Sequence, residues 1–231
     1  MNIIEPLKIP YRWMFRRKKT YSQTGEDIIA DFFLADVKNG FYVDVGANDP
    51  VYLNNTYLFY KKGWRGLLVE PDRFRCRVLK AARPRDEVLN MGAGLHDSEM
   101  TFYVFKPDTF STFSKTEADH YRQLGYTLVK TMPVPIRPLG EILAAHATDT
   151  PIDILSVDTE GYDLEVIQSN DWNRFRPKIV IVEVVRHQGD HGIRQHRDFD
   201  AFMEKNAYKK LADTYINCIY IENEYAKALK I

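Results

Sequence analysis

Residues 41–50 read FYVDVGANDP, and they carry the strongest local signal for the fold. Its first half, Phe41 to Val45, is an apolar run of strand length, and the chain then turns at Gly46. A dinucleotide-binding fingerprint has three glycines at this point, which let a helix N-terminus approach a diphosphate. The single Gly46 instead predicts a turn that passes close to a ligand without a diphosphate.

Apolar runs of strand length alternate with amphipathic stretches along most of the chain. This alternation predicts an α/β fold with a mostly parallel sheet and helices on both faces. The predicted strands are 41–45, 67–70, 87–91, 100–105, 152–158, 178–184, 208–212 and 216–221, the last two forming an antiparallel pair. The predicted helices end at Leu34 or cover 55–62, 73–82, 161–169 and 199–206.

The chain divides into a basic N-terminal arm at residues 1–20 and a single domain at residues 21–231. Between residues 106 and 138 the periodic pattern weakens, and prolines and Ser/Thr residues accumulate. We expect an insertion here, on the substrate side of the sheet. Ser114 and Glu117 have the spacing of a capping box and predict a short helix inside it.

The entry to the domain also carries a capping signal. Thr24 and Asp27 predict the start of the helix that ends at Leu34. For Gln23, Glu26 and Asp27 the simplest interpretation is therefore a capped entry helix, and the alternative is a lid over the ligand site.

The charges of the sequence balance. Lys and Arg number 32 and Asp and Glu number 32, which argues against broad binding of nucleic acid, since that needs a basic excess. Cys76 and Cys218 are far apart and lack metal-ligand spacing, so we expect neither a disulfide framework nor a zinc ribbon. A reducing cytoplasm fits this cysteine usage. No apolar run approaches the roughly 18 residues of a membrane span.

Basic and aromatic residues alternate in the arm between Tyr11 and Lys19. The simplest interpretation is a solvated arm or a subunit contact. The alternative is attraction to an anionic membrane surface, which would hold a cytoplasmic protein at the inner face of the membrane.

Ligands of open parallel sheets bind beyond the carboxyl ends of the strands. Asp44 lies at the end of the first predicted strand, and Glu70 ends the second, 26 residues later. A carboxylate at that interval accepts the hydroxyl hydrogens of a ribose in dinucleotide-binding folds. A ribose without a diphosphate indicates S-adenosylmethionine rather than NAD.

Several longer segments make a resemblance specific. They are YSQTGED at 21–27, FYVDVGANDP at 41–50, NTY at 55–57, KGWRG at 62–66, VEP at 69–71, SVDTEGYD at 156–163 and SNDW at 169–172. In this order they resemble the FkbM family of methyltransferases, over about residues 21–185. The resemblance implies a Rossmann-like class I methyltransferase fold, which ends with a reversed seventh strand. It also implies S-adenosylmethionine as donor and an oxygen acceptor, often on a sugar or a polyketide.

The resemblance also implies roles for residues at the strand ends. Asp44 would contact the amino group of the donor, and Glu70, followed by Pro71, would hold its ribose. The remaining residues of the implied donor site are Gly46, Ala47 and Asn48 along the methionine part, and Gly92 and Ala93 along the adenine.

Methyl transfer to a hydroxyl needs a general base or a metal ion beside the nucleophile, because an alcohol must lose its proton during attack. Asp158 and Glu183 end two predicted neighbouring strands, and Glu160 follows two residues after Asp158. These carboxylates are candidate catalytic residues, and Asp158 with Glu183 could hold Mg²⁺ or another divalent cation. The alternative for Asp158 and Glu160 is a helix cap. His187 is a further candidate base, or else a surface-loop histidine.

The leading hypothesis is an S-adenosylmethionine-dependent O-methyltransferase that acts on a sugar of a surface glycan, a glycolipid or a glycosylated natural product. One alternative is an N- or carboxyl-methyltransferase of a small molecule. Another is a non-catalytic nucleotide-binding module that binds a partner.

Overall fold

The computed structural model describes residues 19–188 and 191–231, and between residues 186 and 194 it describes no side chain. The predicted arm at residues 1–20 lies almost entirely outside this part of the chain. The strands are β1 (Phe41–Val45), β2 (Arg65–Val69), β3 (Glu87–Leu89), β4 (Gly92–Ala93), β5 (Ser98–Lys106), β6 (Thr127–Arg137), β7 (Ile154–Val157), β8 (Ile179–Glu183), β9 (Val185–Gln188), β10 (His191–Arg194), β11 (Tyr208–Asp213) and β12 (Asn217–Glu222). The helices are α1 (Glu26–Phe33), α2 (Tyr57–Lys61), α3 (Arg73–Ala82), α4 (Lys115–Gln123), α5 (Leu139–His146), α6 (Asp163–Gln168), α7 (His196–Lys205) and α8 (Asn223–Ala228).

The main sheet has seven strands in the order β11-β12-β8-β7-β1-β2-β3. β1 pairs in parallel with β2 on one side and with β7 on the other, and β12 runs antiparallel to both β8 and β11. The predicted mostly parallel sheet with a reversed last strand is confirmed. The carboxyl ends of β1, β2, β7 and β8 therefore point to one edge.

Both faces of this sheet are covered by helices, as predicted. Alternation along β1 divides the core: Val43 and Val45 face one hydrophobic cluster, and Tyr42 faces the other. Side chains of α5, α6 and α7 belong to the first cluster, and those of α1, α2 and α3 belong to the second.

A second, three-stranded sheet in the order β4-β6-β5 stands beside the main one. Its main part is a long antiparallel pair of β5 and β6, and α4 lies in the connection between them. The Pro-rich stretch at 127–137 does not read as a strand, yet it forms β6. Pro133 and Pro135 lie opposite residues of β5, whereas β4 pairs only with Ile136 and Arg137 on the other edge of β6. The N–H groups that the two prolines lack therefore remove no hydrogen bond between β6 and β4.

The two predicted caps have different outcomes. Ser114 accepts a hydrogen bond from the N–H of Glu117 at 3.2 Å and caps α4, as predicted. The cap predicted at Thr24 is wrong, because Gly25, with φ of +99°, precedes α1 and no side chain caps it. The hydroxyl of Thr24 donates instead to the carboxylate of Glu26.

Two expectations concern the chain as a whole. Cys76 and Cys218 are buried and free, so the described residues hold no disulfide between them. Among the described residues no helix has the length and apolar character needed to span a membrane.

Candidate functional site

The turn after β1 is fixed by a close backbone approach. Gly46 has φ of +84°, and a Cβ on it would lie 1.8 Å from the carbonyl oxygen of Asp158. The expectation was that Gly46 lets the turn approach a ligand. The atom that requires glycine belongs instead to the loop after β7. This contact brings the ends of β1 and β7 together.

Glu70 lies directly after β2 and joins the turn after β1 to the start of α3. Its carboxylate accepts hydrogen bonds from the N–H of Asn48 at 2.9 Å and the N–H of Asp72 at 2.7 Å. Burial raises the pKa of Glu70 to about 7, against these two hydrogen bonds. Each carboxylate oxygen can accept further hydrogen bonds, as a ribose diol requires.

Asp44 is buried beneath the same turn. Its Oδ2 accepts hydrogen bonds from the hydroxyl of Thr56 at 2.7 Å and from the side-chain amide of Asn54 at 3.3 Å. Burial raises the pKa of Asp44, and Arg83, Thr56 and Asn54 oppose this rise. The sequence had suggested no role in the site for Asn54, Thr56 or Arg83, although Thr56 belongs to the NTY segment at 55–57.

Gly46, Glu70 and Asp44 border one cavity of about 950 Å³, at the upper end of the volumes typical of ligand pockets. Every residue predicted for the donor site lines it, as do the three candidate catalytic carboxylates. Those lining residues are Asp44, Gly46, Ala47, Asn48, Glu70, Pro71, Gly92, Ala93, Asp158, Glu160 and Glu183. Their predicted roles toward a ligand stay predictions.

Three carboxylates meet in this cavity. Oxygens of Asp158, Glu160 and Glu183 lie within 4.8 Å of one another. Burial, followed by their mutual repulsion and that of Asp163, raises the pKa of Glu183 and Glu160 well above the ordinary value. The same burial raises the pKa of Asp158 to about 7, and a hydrogen bond between the two carboxyl groups lowers the pKa of Asp158 and raises that of Glu183. Oε2 of Glu183 is buried, and no N–H or hydroxyl group among the described residues donates to it.

The alternative of a helix cap for Asp158 and Glu160 is wrong. α6 begins only at Asp163, and no side chain caps it. Asp163 itself holds the preceding loop, accepting hydrogen bonds from the N–H of Thr159 at 2.7 Å and of Gly161 at 3.1 Å. Asp158 and Glu160 are thus left to face the cavity.

The β5–β6 hairpin is fastened to the acidic side of the cavity. The buried hydroxyl of Thr112 donates to the carbonyl oxygen of Glu160 at 2.8 Å and accepts the N–H of Ser114 at 2.9 Å. The ring of Phe113 meets that of Tyr162 edge to face, with centroids 6.3 Å apart. Residues of the predicted insertion at 106–138 therefore form one wall of the cavity.

Another wall of the cavity is formed where the N-terminal and C-terminal parts of the domain contact each other. Glu26 is fully buried and accepts hydrogen bonds from the hydroxyl of Thr214 at 2.7 Å and the side-chain amide of Asn217 at 2.9 Å. The neighbouring Gln23 and Tyr215 both line the cavity. Gln23 is thus at the site, and the idea that this segment is a lid stays a prediction.

His187 lies in β9, which pairs with β10 in a short hairpin rather than in the loop that the sequence favoured. Its side chain lies outside the described residues. The proposed role of His187 as a base therefore stays a prediction, as does the predicted cation at Asp158 and Glu183.

The strand order and the reversed β12 define a class I methyltransferase fold, with a cavity at the carboxyl ends of its parallel strands. The Methyltransferase FkbM domain matches residues 44–210. The chain belongs to this family and is thus an S-adenosylmethionine-dependent methyltransferase.

Two further comparisons add no argument about function. A TehB-like SAM-dependent methyltransferase from Corynebacterium glutamicum is similar in structure with a TM-score of 0.44 and 9% sequence identity, over 92% of this chain and 94% of that chain. A search of curated proteins gave no match. The family assignment rests on the matched domain alone.

Proposed function

We propose that this protein methylates a hydroxyl oxygen on a sugar of a surface glycan, a glycolipid or a glycosylated natural product. The observation that carries the proposal is the group of carboxylates from Asp158, Glu160 and Glu183 in the cavity that the donor residues line. A sugar hydroxyl is a poor nucleophile until it loses its proton. A carboxylate acceptor is already ionised near neutral pH, and an amine acceptor would need less help from a base.

The donor site fits S-adenosylmethionine by volume and by chemistry. Glu70 offers carboxylate oxygens to a ribose diol, and Asp44 offers a carboxylate to an ammonium group. The bound donor supplies a methyl group on a sulfonium, whose departing thioether is neutral. The acceptor oxygen forms its bond to the methyl carbon as the carbon–sulfur bond breaks.

Asp158 is the base that we assign to this step. The hydroxyl proton passes to its carboxylate, whose pKa of about 7 suits proton transfer near neutral pH. Glu183 holds Asp158 through the hydrogen bond between the two carboxyl groups, which keeps the accepting oxygens of Asp158 in one orientation.

Exposed aromatic rings at the cavity support a sugar acceptor. Tyr52, Phe74 and Tyr215 line it and are 70%, 64% and 67% exposed. Aromatic faces cover the C–H surfaces of sugars, and apolar side chains that stay this exposed beside a pocket are typical of binding surfaces. Phe113 and Tyr121 of the insertion at 106–138, in contrast, are buried.

The test is methyl transfer from radiolabelled S-adenosylmethionine to a panel of acceptors: oligosaccharides, glycolipids, phenolic glycosides, a primary amine and a carboxylate. We expect an alkali-stable methyl ether on a sugar-containing acceptor. Asp158→Asn should lower kcat by about 100-fold or more, whereas Glu141→Gln, an exposed carboxylate on α5, should not. Transfer to the amine or the carboxylate alone would overturn the proposal.

A divalent cation is the second interpretation of the same carboxylates. Oxygen ligands within 4.8 Å of one another suit a hard ion such as Mg²⁺. Activity that is lost with EDTA and restored by Mg²⁺ would assign the activation of the hydroxyl to the ion. Activity that EDTA does not change would remove the ion from the mechanism.

We keep the membrane-proximal cytoplasm as the proposed place of the reaction, on the basis of the basic residues 12–19. Co-sedimentation with anionic and neutral vesicles tests this proposal. Equal failure to bind both kinds of vesicle would contradict it.

A further inference from the structure

Arg83 is the largest fully buried side chain described in this protein, and it lies at the end of α3 beneath the donor site. Its guanidinium donates in three directions. Nε donates to Asp86 at 2.7 Å, Nη2 to the hydroxyl of Thr56 at 2.9 Å, and Nη1 to the amide oxygen of Asn54 at 3.2 Å. A buried guanidinium is costly unless its N–H groups are paired, and here the partners are two polar side chains and one carboxylate.

The hydrogen bond from Arg83 restricts the directions in which the hydroxyl hydrogen of Thr56 can point. A hydroxyl has one hydrogen to donate. Because Nη2 of Arg83 donates to this oxygen, the hydrogen is free for an acceptor, and Oδ2 of Asp44 at 2.7 Å is nearer than the amide oxygen of Asn54 at 3.0 Å. The hydroxyl of Thr56 therefore connects the guanidinium of Arg83 to the carboxylate of Asp44 through two hydrogen bonds.

Asn54 is oriented in the same way. Its amide oxygen accepts from Arg83, from the N–H of Thr56 at 3.0 Å and from the N–H of Tyr57 at 2.8 Å. Its NH₂ group then faces the opposite side, where it donates to the carbonyl oxygens of Asp49 at 3.0 Å and Ala47 at 3.3 Å and to Oδ2 of Asp44 at 3.3 Å. Both side chains that separate Arg83 from Asp44 thus present donors to that carboxylate.

Asp86 holds the other end of this group. It accepts hydrogen bonds from the hydroxyl of Tyr42 at 2.7 Å and the N–H of Gly66 at 2.9 Å as well as from Arg83. The side chains of Arg83 and Asp86 are both fully buried. The ion pair with Asp86 fixes the position of the guanidinium. The remaining N–H groups of Arg83 are thereby directed toward Thr56 and Asn54.

We propose that Arg83 is a positioning residue of the donor site, which acts through Thr56 and Asn54 to orient the carboxylate of Asp44 toward the ammonium group of the donor. The inference rests on the proposed donor site, because the role of Asp44 is taken from it. Burial favours the neutral form of Asp44. The positive charge of Arg83 and the hydrogen bonds from Thr56 and Asn54 favour its ionised form.

The test compares two ligands that differ in the amino-acid part. S-Adenosylhomocysteine carries the ammonium group, whereas 5′-methylthioadenosine has the same nucleoside and lacks it. Thr56→Val keeps the shape of the side chain and removes the hydroxyl. We expect it to weaken binding of S-adenosylhomocysteine by about 10-fold or more, from the loss of a bond to a charged group, and to leave the Kd of 5′-methylthioadenosine unchanged. Calorimetry on the full chain measures both.

Thr56→Ser restores the hydroxyl and should restore the affinity for S-adenosylhomocysteine. If Thr56→Val fails to fold, Arg83→Lys serves instead, because an ammonium group cannot reach all three partners of the guanidinium; the same selective loss is expected. Equal weakening of both ligands, or no weakening of either, would overturn the inference. A wild-type protein that does not bind S-adenosylhomocysteine would overturn the donor site, and the inference with it.

Discussion

At the scale of single residues, Gly46 and Gly63 make a matched pair. Both have positive φ, +84° and +95°, but only at Gly46 does an added Cβ meet backbone, at 1.8 Å from the Asp158 carbonyl oxygen. We expect Gly63→Ala to cost about 1 kcal/mol, the penalty of the left-handed conformation alone. Gly46→Ala should cost more than about 3 kcal/mol, because a backbone segment must also move.

Urea unfolding of the two variants measures this difference. A cost that is the same for both glycines would show that the loop after β7 yields easily to Gly46. Such a result would also weaken the view that the donor and acidic parts of the cavity are fixed to each other.

Glu70 gives a prediction about pH. Its pKa of about 7 in the free protein means that it is protonated below neutral pH and accepts ribose hydroxyls less well. If ribose binding favours the ionised form, S-adenosylhomocysteine should bind close to tenfold more tightly at pH 8 than at pH 6. Calorimetry across this range measures it.

The control for this titration is Asp158→Asn, because Asp158 also has a pKa of about 7. The variant should keep the pH dependence of binding. A dependence that disappears in Asp158→Asn would assign the titration to Asp158 instead of Glu70.

The sequence could indicate some of these residues and not others. Asp44 and Glu70 follow apolar runs, so their places at strand ends could be predicted from periodicity. Arg83 lies 39 residues after Asp44, and nothing in its neighbours distinguishes it from a surface arginine. Its importance arises from burial, which depends on how α2 and α3 pack together.

At the scale of secondary structure, the elements of the main sheet were predictable because buried strands and amphipathic helices carry strong periodic patterns. α3 was predicted at 73–82 and is observed at Arg73–Ala82. β6 was not predicted, because Pro133 and Pro135 are evidence against a strand unless one edge is free at those positions. Whether that edge of β6 is free depends on where β4 pairs with it. β4 is distant in sequence, so the local sequence pattern of β6 does not show this.

The attachment of the hairpin gives a prediction at this scale. Thr112→Val removes the hydroxyl that bonds the Glu160 carbonyl and leaves the N–H of Ser114 without its acceptor. Because Thr112 is fully buried, we expect a loss of about 1–3 kcal/mol. Thr101→Val, on an exposed position of β5, is the matched control and should change stability by less than about 0.5 kcal/mol.

Denaturant unfolding measures both variants, and the activity assay reports the position of Glu160. Equal stability of Thr112→Val and Thr101→Val would mean that the hairpin is held by its aromatic contacts instead.

At the scale of the whole molecule, a net charge of zero conceals a local excess of carboxylates. The pKa of Asp158 rises from 3.8 to about 7 on folding, and that of Glu183 rises well above 4.5. The folded protein therefore holds protons that the unfolded chain has released. Its free energy of unfolding should fall as pH rises from about 4 through 7.

Glu183→Gln removes one of these titrations and keeps a donor toward Asp158. We expect the variant to melt about 2–4 °C above the wild-type protein at pH 8, the shift that about 1 kcal/mol produces in a chain of this size. At pH 5 the difference should be smaller. Thermal melts across this range measure it, and a difference independent of pH would contradict the prediction.

The β5–β6 hairpin has small hydrophobic cores of its own, separate from the two that cover the main sheet. One contains Phe102, Phe113, Val134 and Ile136, and another contains Phe105, Ala118 and Tyr121. A segment that packs largely on itself can be exchanged between proteins as a unit. Grafting the hairpin of a relative onto this sheet would test whether this wall of the cavity, in addition to Tyr52, Phe74 and Tyr215, selects the acceptor.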